Sequence, residues 1–299
     1  MNQVLCSAHR DHGIGRFYRL KRTVWLLANT WSLSGLYNGR ICRSWLRFTH
    51  LDMPLPDLPD PLVGKRIVHI ADVHCSPLVL DSYLTQVFGY LAELDPDFLV
   101  VTGDLITGGI PYARRIARLL SRIPVKIARL ACLGNHDYGI YFPCGRGMMR
   151  QLPDVMSEEL RANGTQPLRN EVAVFDIDGA AMQFVGLEDY WSGRFDPDAA
   201  FRATHKSLPT ICLCHNPDAT DELAHYHRPH WVLAGHTHGH HASTNRIRGK
   251  VLPIESKAYP AGHYTVGPTD LYVNRGLSYA RRVSVNRRPE ITIFTLRRA

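Results

Sequence analysis

The sequence predicts an α/β fold in which β-sheets form a sandwich flanked by helices, and three observations predict it. Apolar strand-like runs alternate with helical runs in the first half, strand-like runs come in closer succession later, and short polar clusters stand directly after the apolar runs. With 299 residues, 45% of them hydrophobic, the chain can bury a full core, as one large domain or one domain with an appendage.

RIVHIADVH precedes a helical run over about residues 79–94, DFLVVTGDL precedes one over about 112–122, and KIARLACLGNHD precedes one near 146–163. VAVFDIDG and AMQFVGLED then read as strands, followed by TICLCHNP, a short helical stretch and HWVLAGHTHG. Upstream, MPLPDLPDPLVGK carries four prolines, which interrupt helix and sheet alike. Three units are therefore expected: a basic segment over residues 1–52, a proline-rich linker over 53–64, and a catalytic domain over 65–299.

Charge is unevenly placed. Residues 1–50 carry eight Lys or Arg against the single acid Asp11, so nearly all of the net charge of +8 lies there. Phe17, Leu20, Val24, Leu27 and Trp31 recur at spacings of three and four beside Arg16, Arg19, Lys21 and Arg22. Such a basic amphipathic helix suits an anionic membrane surface; the alternatives are a helix packed on its own domain or a partly disordered leader. TVWLLANTWSLSGLYNG is too short and too polar for a spanning helix. No long apolar signal core is evident, so the expected location is cytoplasmic, peripheral on the inner face of the membrane. Seven cysteines with no CxxC pair fit a reducing compartment, with Cys75, Cys212 and Cys214 read as core residues.

Five polar clusters follow apolar runs: Asp72 and His74; Asp104; Asn135, His136 and Asp137; His215; His236 and His238. Parallel strands deliver their carboxyl ends to one sheet edge, so ligands placed after several strands can converge on one point. Glycines before Asp104, Asn135 and His236 let the backbone turn sharply there. A lone histidine or a lone Gly-Asp pair carries little information, whereas five arrivals of this kind are hard to ascribe to chance.

The ordered set DVH, GDL, GNHD, CHNP and GHTH resembles the calcineurin-like metallophosphoesterases, from about Lys65 onward. GLEDYWSG and VNRGLSYARRVSVNRRPEITIFTL resemble a bacterial, membrane-associated branch of them. The resemblance implies a four-layer α-β-β-α sandwich and a site for two divalent transition metals: manganese first, with iron or zinc as alternatives. It places Asp72, His74 and His238 on the first metal, Asn135, His215 and His236 on the second, and Asp104 between them. Two metals about 3.5–4 Å apart acidify a shared water to hydroxide and clamp the attacking and leaving oxygens of an in-line displacement. Mixed nitrogen and oxygen donors suit transition metals better than calcium or magnesium.

By the same resemblance His136 is not a ligand; it either stabilises phosphoryl oxygens or protonates the leaving oxygen, with Asp137 orienting its ring. His240 and His241 fall outside the motif and read as solvent- or substrate-edge residues, while Asn216 and Asp218 read as scaffolding. GDLITGG and GNHD, where protein phosphatases of the superfamily show GNHE, argue against that branch; the resemblance to membrane-associated lipid A pathway hydrolases that retain GNHD implies a membrane lipid or nucleotide–lipid diphosphate such as UDP-2,3-diacylglucosamine as substrate. The loop over residues 138–153, with aromatic, Met and Arg residues, is either a lipid-facing lip or an ordinary connection. The alternatives are a soluble nucleotide or cyclic-nucleotide phosphodiesterase and a non-catalytic metal-binding interaction protein. No specific nucleic acid is expected, because the basic excess lies outside the catalytic domain. The sequence leaves oligomeric state open.

Overall fold

A computed structural model describes residues 46–77, 79, 81–141, 150–239, 258–278 and 288–299. The segment holding Phe17 to Trp31, the histidines His240 and His241, and residues 142–149 of the 138–153 loop lie outside the described residues.

Two six-stranded sheets make up the interior. The first takes β1 (Arg47–Leu55), β2 (Arg66–Ile70), β3 (Phe98–Thr102), β4 (Ala128–Cys132), β5 (Gln166–Pro167) and β12 (Glu290–Arg298), in the order β1-β12-β2-β3-β4-β5. The second takes β6 (Glu171–Ile177), β7 (Ala180–Gly186), β8 (Thr210–Leu213), β9 (Trp231–Ala234), β10 (Gly262–Val266) and β11 (Thr269–Val273), in the order β10-β11-β9-β8-β7-β6. β2, β3 and β4 run parallel, as do β7, β8 and β9. Helices α1 (Asp81–Glu93), α2 (Ile110–Leu120) and α3 (Leu152–Ala162) pack on the first sheet. Helices α4 (Pro197–Arg202) and α5 (Thr220–Tyr226) pack on the second.

Strand periodicity decides which core each side chain enters. Ile67, Phe98, Val100 and Leu130 face the second sheet, meeting Phe184, Ile211, Leu213, Trp231 and Leu233 in one apolar layer. Their neighbours Val68, Ile70, Leu99, Val101 and Ala131 point the other way, against Leu84, Val87, Ile116, Leu120, Met156 and Leu160 of the helices. Central parallel strands covered on both faces need continuous apolar runs, which is how RIVHI and FLVVT read. The four-layer α-β-β-α order expected from the resemblance is the observed one. Cys75, Cys132, Cys212 and Cys214 are buried free thiols, as core residues should be.

The reading of residues 53–64 as a linker needs correction, together with the domain start at Lys65. β1 pairs in parallel with β12 from Arg47↔Glu290 to Leu55↔Arg298, and Leu58 and Leu62 are fully buried in the layer between the sheets. A proline disrupts a central strand by removing a ladder donor, but β1 lies at the sheet edge with one neighbour, where Pro54 is tolerated. The catalytic domain therefore begins by Arg47, and the boundary drawn at residue 52 falls inside a strand.

Candidate metal centre

Asp72 and His74 follow β2, Asp104 follows β3, Asn135 follows β4, His215 follows β8, and His236 and His238 follow β9. The carboxyl ends of five strands from two sheets thus meet at one place, and all seven predicted ligands arrive there. His74 Nε2 lies 3.0 Å from His238 Nε2 and 3.4 Å from Asp104 Oδ2, and His238 Nε2 lies 3.4 Å from Asp72 Oδ1. One ligand atom from each of Asp72, His74, Asp104 and His238 falls within 4.8 Å of the others. On the far side of Asp104, its Oδ1 stands 3.4 Å from His215 Nε2. His236 Nδ1 stands 3.3 Å from that same His215 nitrogen and 3.1 Å from Asn135 Oδ1.

Backbone geometry marks the same residues. Ten non-glycine residues among those described take a left-handed φ, and five of them are Asp72 (48°), His74 (49°), Asp104 (50°), His236 (73°) and His238 (52°). Such conformations cost about 1–3 kcal/mol each and persist where surrounding structure over-determines them. Two glycines show how tightly the site is enclosed: a Cβ at Gly235 would lie 2.5 Å from Asp72 Oδ2, and one at Gly276 2.6 Å from Asp72 Cβ.

The remaining atoms of these side chains are tied down in ways that aim their ligand atoms inward. Asn135 Nδ2 donates to the Ile140 carbonyl (2.7 Å), leaving Oδ1 turned to His236. His215 Nδ1 donates to the Thr102 carbonyl (2.8 Å), which turns Nε2 toward Asp104. The His236 N–H donates to the Asp72 carboxylate, at 3.0 Å to Oδ2. Pairs of imidazole nitrogens facing each other at 3.0 and 3.3 Å beside two buried carboxylates form a donor set that a cation satisfies and that suits transition metals.

Electrostatics follow from burial and crowding. Burial opposes ionisation of Asp104, but the His215, His136 and His74 rings outweigh it and hold the carboxyl well below the usual range. Burial likewise acts against charge on His215, yet Asp104, Asp72 and Asp189 push its pKa up to about 10. His236 is driven down to about 3 by burial and by its neighbour His215. One imidazole is thus disposed to carry charge and the other to offer a lone pair.

His136 sits over this cluster, its ring edge-on to His74 at 4.7 Å and its Nε2 4.0 Å from Asp104 Oδ2. The orienting role expected of Asp137 is not what its hydrogen bonds show. Its carboxylate accepts from the backbone N–H groups of Gly134 (2.9 Å), Leu105 (3.2 Å) and Ile106 (3.1 Å), lacing the Asp104 loop to the Asn135 loop. The Thr107 carbonyl, 3.2 Å from His136 Nδ1, orients the ring instead and leaves Nε2 toward the cluster. Burial, with Asp104 close by, raises the Asp137 pKa to about 7.

Some contacts were invisible in the sequence motifs. Trp191, whose backbone N–H donates to Asp189 Oδ1 (2.9 Å), stands with its ring edge-on to His236 at 4.7 Å, and Tyr141 stands edge-on to His136 at 4.8 Å. The segment after β11 lies along Asp72, a role that only the glycine of VNRG hints at. A cleft of about 690 Å³ lies elsewhere, at the amino ends of β8 and β9 between Arg202, Lys206, Thr210, Arg228 and His230, and includes none of the clustered residues.

The calcineurin-like phosphoesterase family matches residues 65–240, more than half of the chain and the whole of the strand-end cluster. The chain belongs to that family. The protein is accordingly a metal-dependent phosphoesterase, a hydrolase that works with divalent metal ions. It is 30% identical to the UDP-2,3-diacylglucosamine pyrophosphatase LpxG of Chlamydia muridarum over 88% of this chain and 92% of that one. It is 30% identical to the uncharacterized metallophosphoesterase YkuE of Bacillus subtilis, over 80% of this chain and 82% of that one. It is 28% identical to the phosphodiesterase YaeI of Escherichia coli, over 77% and 82%. Among the described residues no helix is long and apolar enough to cross a membrane.

Proposed function

We propose that this phosphoesterase uses two metal positions to hydrolyse the diphosphate or phosphodiester bond of a membrane lipid or nucleotide–lipid, with UDP-2,3-diacylglucosamine as the leading candidate. The observation that carries the reading is the convergence of seven nitrogen and oxygen donors from five strand ends, with Asp104 in the middle. Asp72, His74 and His238 hold the first position, Asn135, His215 and His236 the second, and Asp104 reaches both. A metal pair bound there supplies an acidified water and charge neutralisation for in-line displacement.

The chain's own groups do the rest. His136 Nε2, presented by the Thr107 carbonyl on the opposite ring nitrogen, faces the reacting phosphoryl group and either donates to its oxygens or delivers a proton to the leaving oxygen. Asp137 keeps the Asp104 and Asn135 loops in register with each other. Likeness to a named UDP-2,3-diacylglucosamine pyrophosphatase along most of both chains supports the lipid-linked substrate. The basic, Trp-bearing stretch of residues 1–50 supports work at an anionic membrane surface, on its cytoplasmic face.

The test is hydrolysis of UDP-2,3-diacylglucosamine in detergent by the manganese-loaded protein, beside bis-p-nitrophenyl phosphate and with a chelated sample as control. Chelator-sensitive cleavage of the lipid at its diphosphate is expected. Cleavage of the generic diester alone would overturn the lipid substrate and leave the soluble phosphodiesterase, in line with the name of YaeI.

A further inference from the structure

Glu290, the first residue of β12, is fully buried, and its carboxylate gathers donors from three parts of the chain. It accepts from Thr49 Oγ1 of β1 at 2.5 Å and Tyr272 Oη of β11 at 3.0 Å. From Arg275 it accepts the backbone N–H at 3.0 Å and Nη1 at 3.3 and 3.4 Å. Arg47 Nε lies 3.6 Å away. The Glu290 N–H in turn donates to the Gly276 carbonyl at 3.0 Å. A buried carboxylate is tolerated when it is paired and hydrogen-bonded in this way, and removal of one partner is then costly.

The residues held by this carboxylate lie against one half of the candidate metal centre. Leu277 N–H donates to the Ala71 carbonyl (2.8 Å) and Ser278 N–H to the Asp72 carbonyl (2.9 Å). Gly276 touches Asp72 so closely that no side chain fits between them. The Arg275 stem covers Gly239, the residue after His238; a Cβ there would lie 3.4 Å from Arg275 Cγ. Asp72 and His238 are thus backed by a segment that Glu290 fastens. His215 and Asn135 are backed by the Thr102 and Ile140 carbonyls instead.

We infer that Glu290 is a positioning residue for the first metal position, acting through Arg275 and Gly276 on His238 and Asp72. This rests on the two-position reading proposed above. It also places β1, in which the basic N-terminal stretch ends, in hydrogen-bond contact with the support of that position, through Thr49 and Glu290.

Manganese titration of the full chain, followed by total metal content and by the electron paramagnetic resonance of Mn(II), separates the possibilities, with the melting temperature of the metal-free protein as control. The native protein should bind two ions as a coupled pair. Glu290→Gln, which keeps the shape and removes the charge, should weaken one ion about 10–100-fold, the scale of lost support behind a ligand. The ion it retains should give the spectrum of the ion retained by His238→Ala rather than that retained by His215→Ala. Tyr272→Phe, a milder change, should shift affinity in the same direction by less. Two ions held by Glu290→Gln as tightly as by the native protein would overturn the inference alone. So would equal weakening of both ions in step with a lowered melting temperature. A native protein that binds none of manganese, iron and zinc would overturn the two-position reading and this inference with it.

Discussion

The two halves of the candidate centre are built by different means. Asp72, His74 and His238, the proposed ligands of the first position, all stand in left-handed backbone, whereas in the second position only His236 does. The first half relies on strained turns pressed into place by a neighbouring segment, Gly276 and Ser278 against Asp72. The second is also closely packed, with Gly103 and Gly134 against the His215 ring, but it adds side-chain hydrogen bonds that fix ring and amide orientation, His215 to the Thr102 carbonyl and Asn135 to the Ile140 carbonyl. Strain held by contacts is lost when a contact is lost, while a hydrogen-bonded tautomer depends on two atoms. The first position should therefore be the more sensitive to changes outside the ligand set.

The largest effect should come from the residue common to both halves. Asp104→Ala is expected to lower kcat/KM on the order of 10³-fold or more, a scale seen when groups that stabilise the transition state are removed. It should also reduce metal content at both positions, as measured by diester hydrolysis beside metal analysis; a variant that keeps two ions and full activity would show that Asp104 is no bridge. Next in size is His136→Ala, which belongs to neither half. Hydrolysis should slow about 10²-fold or more with both ions retained, the range for loss of a general acid or base. Loss of one ion instead would make His136 a ligand.

Gly276→Ala probes the asymmetry directly. At φ +79° and with Asp72 in the way, the added methyl should cost about 1–3 kcal/mol of stability. First-position affinity should fall about 10–100-fold while the second position is spared. Equal loss at both positions would erase the distinction drawn here.

The smallest effect concerns the support of the second position. His69 is buried between the sheets with Nε2 2.7 Å from Thr102 Oγ1, and burial holds its pKa down to about 3. The unfolded chain takes up this proton near pH 6.5, so the stability owed to the neutral ring is whole above that pH. It declines by about 1.4 kcal/mol per unit as pH falls toward 3. Urea unfolding of the metal-free protein between pH 6.5 and 4.5 should show a slope flatter by that amount in His69→Gln. An unchanged slope would mean that the ring already exchanges its proton in the folded state.

What could be read from the sequence followed the locality of each signal. β2, β3, β4, β8 and β9 announce themselves as apolar runs, and each ligand cluster lies within a few residues of its strand, so strand and ligand are recognised together. β1 could not be seen that way: Pro54 and the three prolines that follow the strand argue for a linker, and its partner among the described residues is β12, paired from Arg47↔Glu290 onward. Asp137 was misassigned for a related reason. Its position beside His136 suggested a local partner, but two of its three donors, Leu105 and Ile106, belong to the loop after the neighbouring strand. Glu290 and Gly276 both lie in the VNRGLSYARRVSVNRRPEITIFTL block, but nothing in that block points to the ligands; only the folded chain sets Gly276 against Asp72 and ties Glu290 to Gly276.

The pairing of β1 with β12 also sets a timetable. Thr49 and the carboxylate that receives its hydroxyl are 241 residues apart. At about 5–20 residues per second of synthesis, Thr49 waits roughly 12–50 s for its partner to be made. During that interval β1 has no strand beside it, and the clamp on Asp72 and His238 has no anchor. If Glu290 supports the proposed first metal position, its completion falls after translation of residue 290, and an ion supplied earlier meets a nascent chain whose binding geometry is still unfinished.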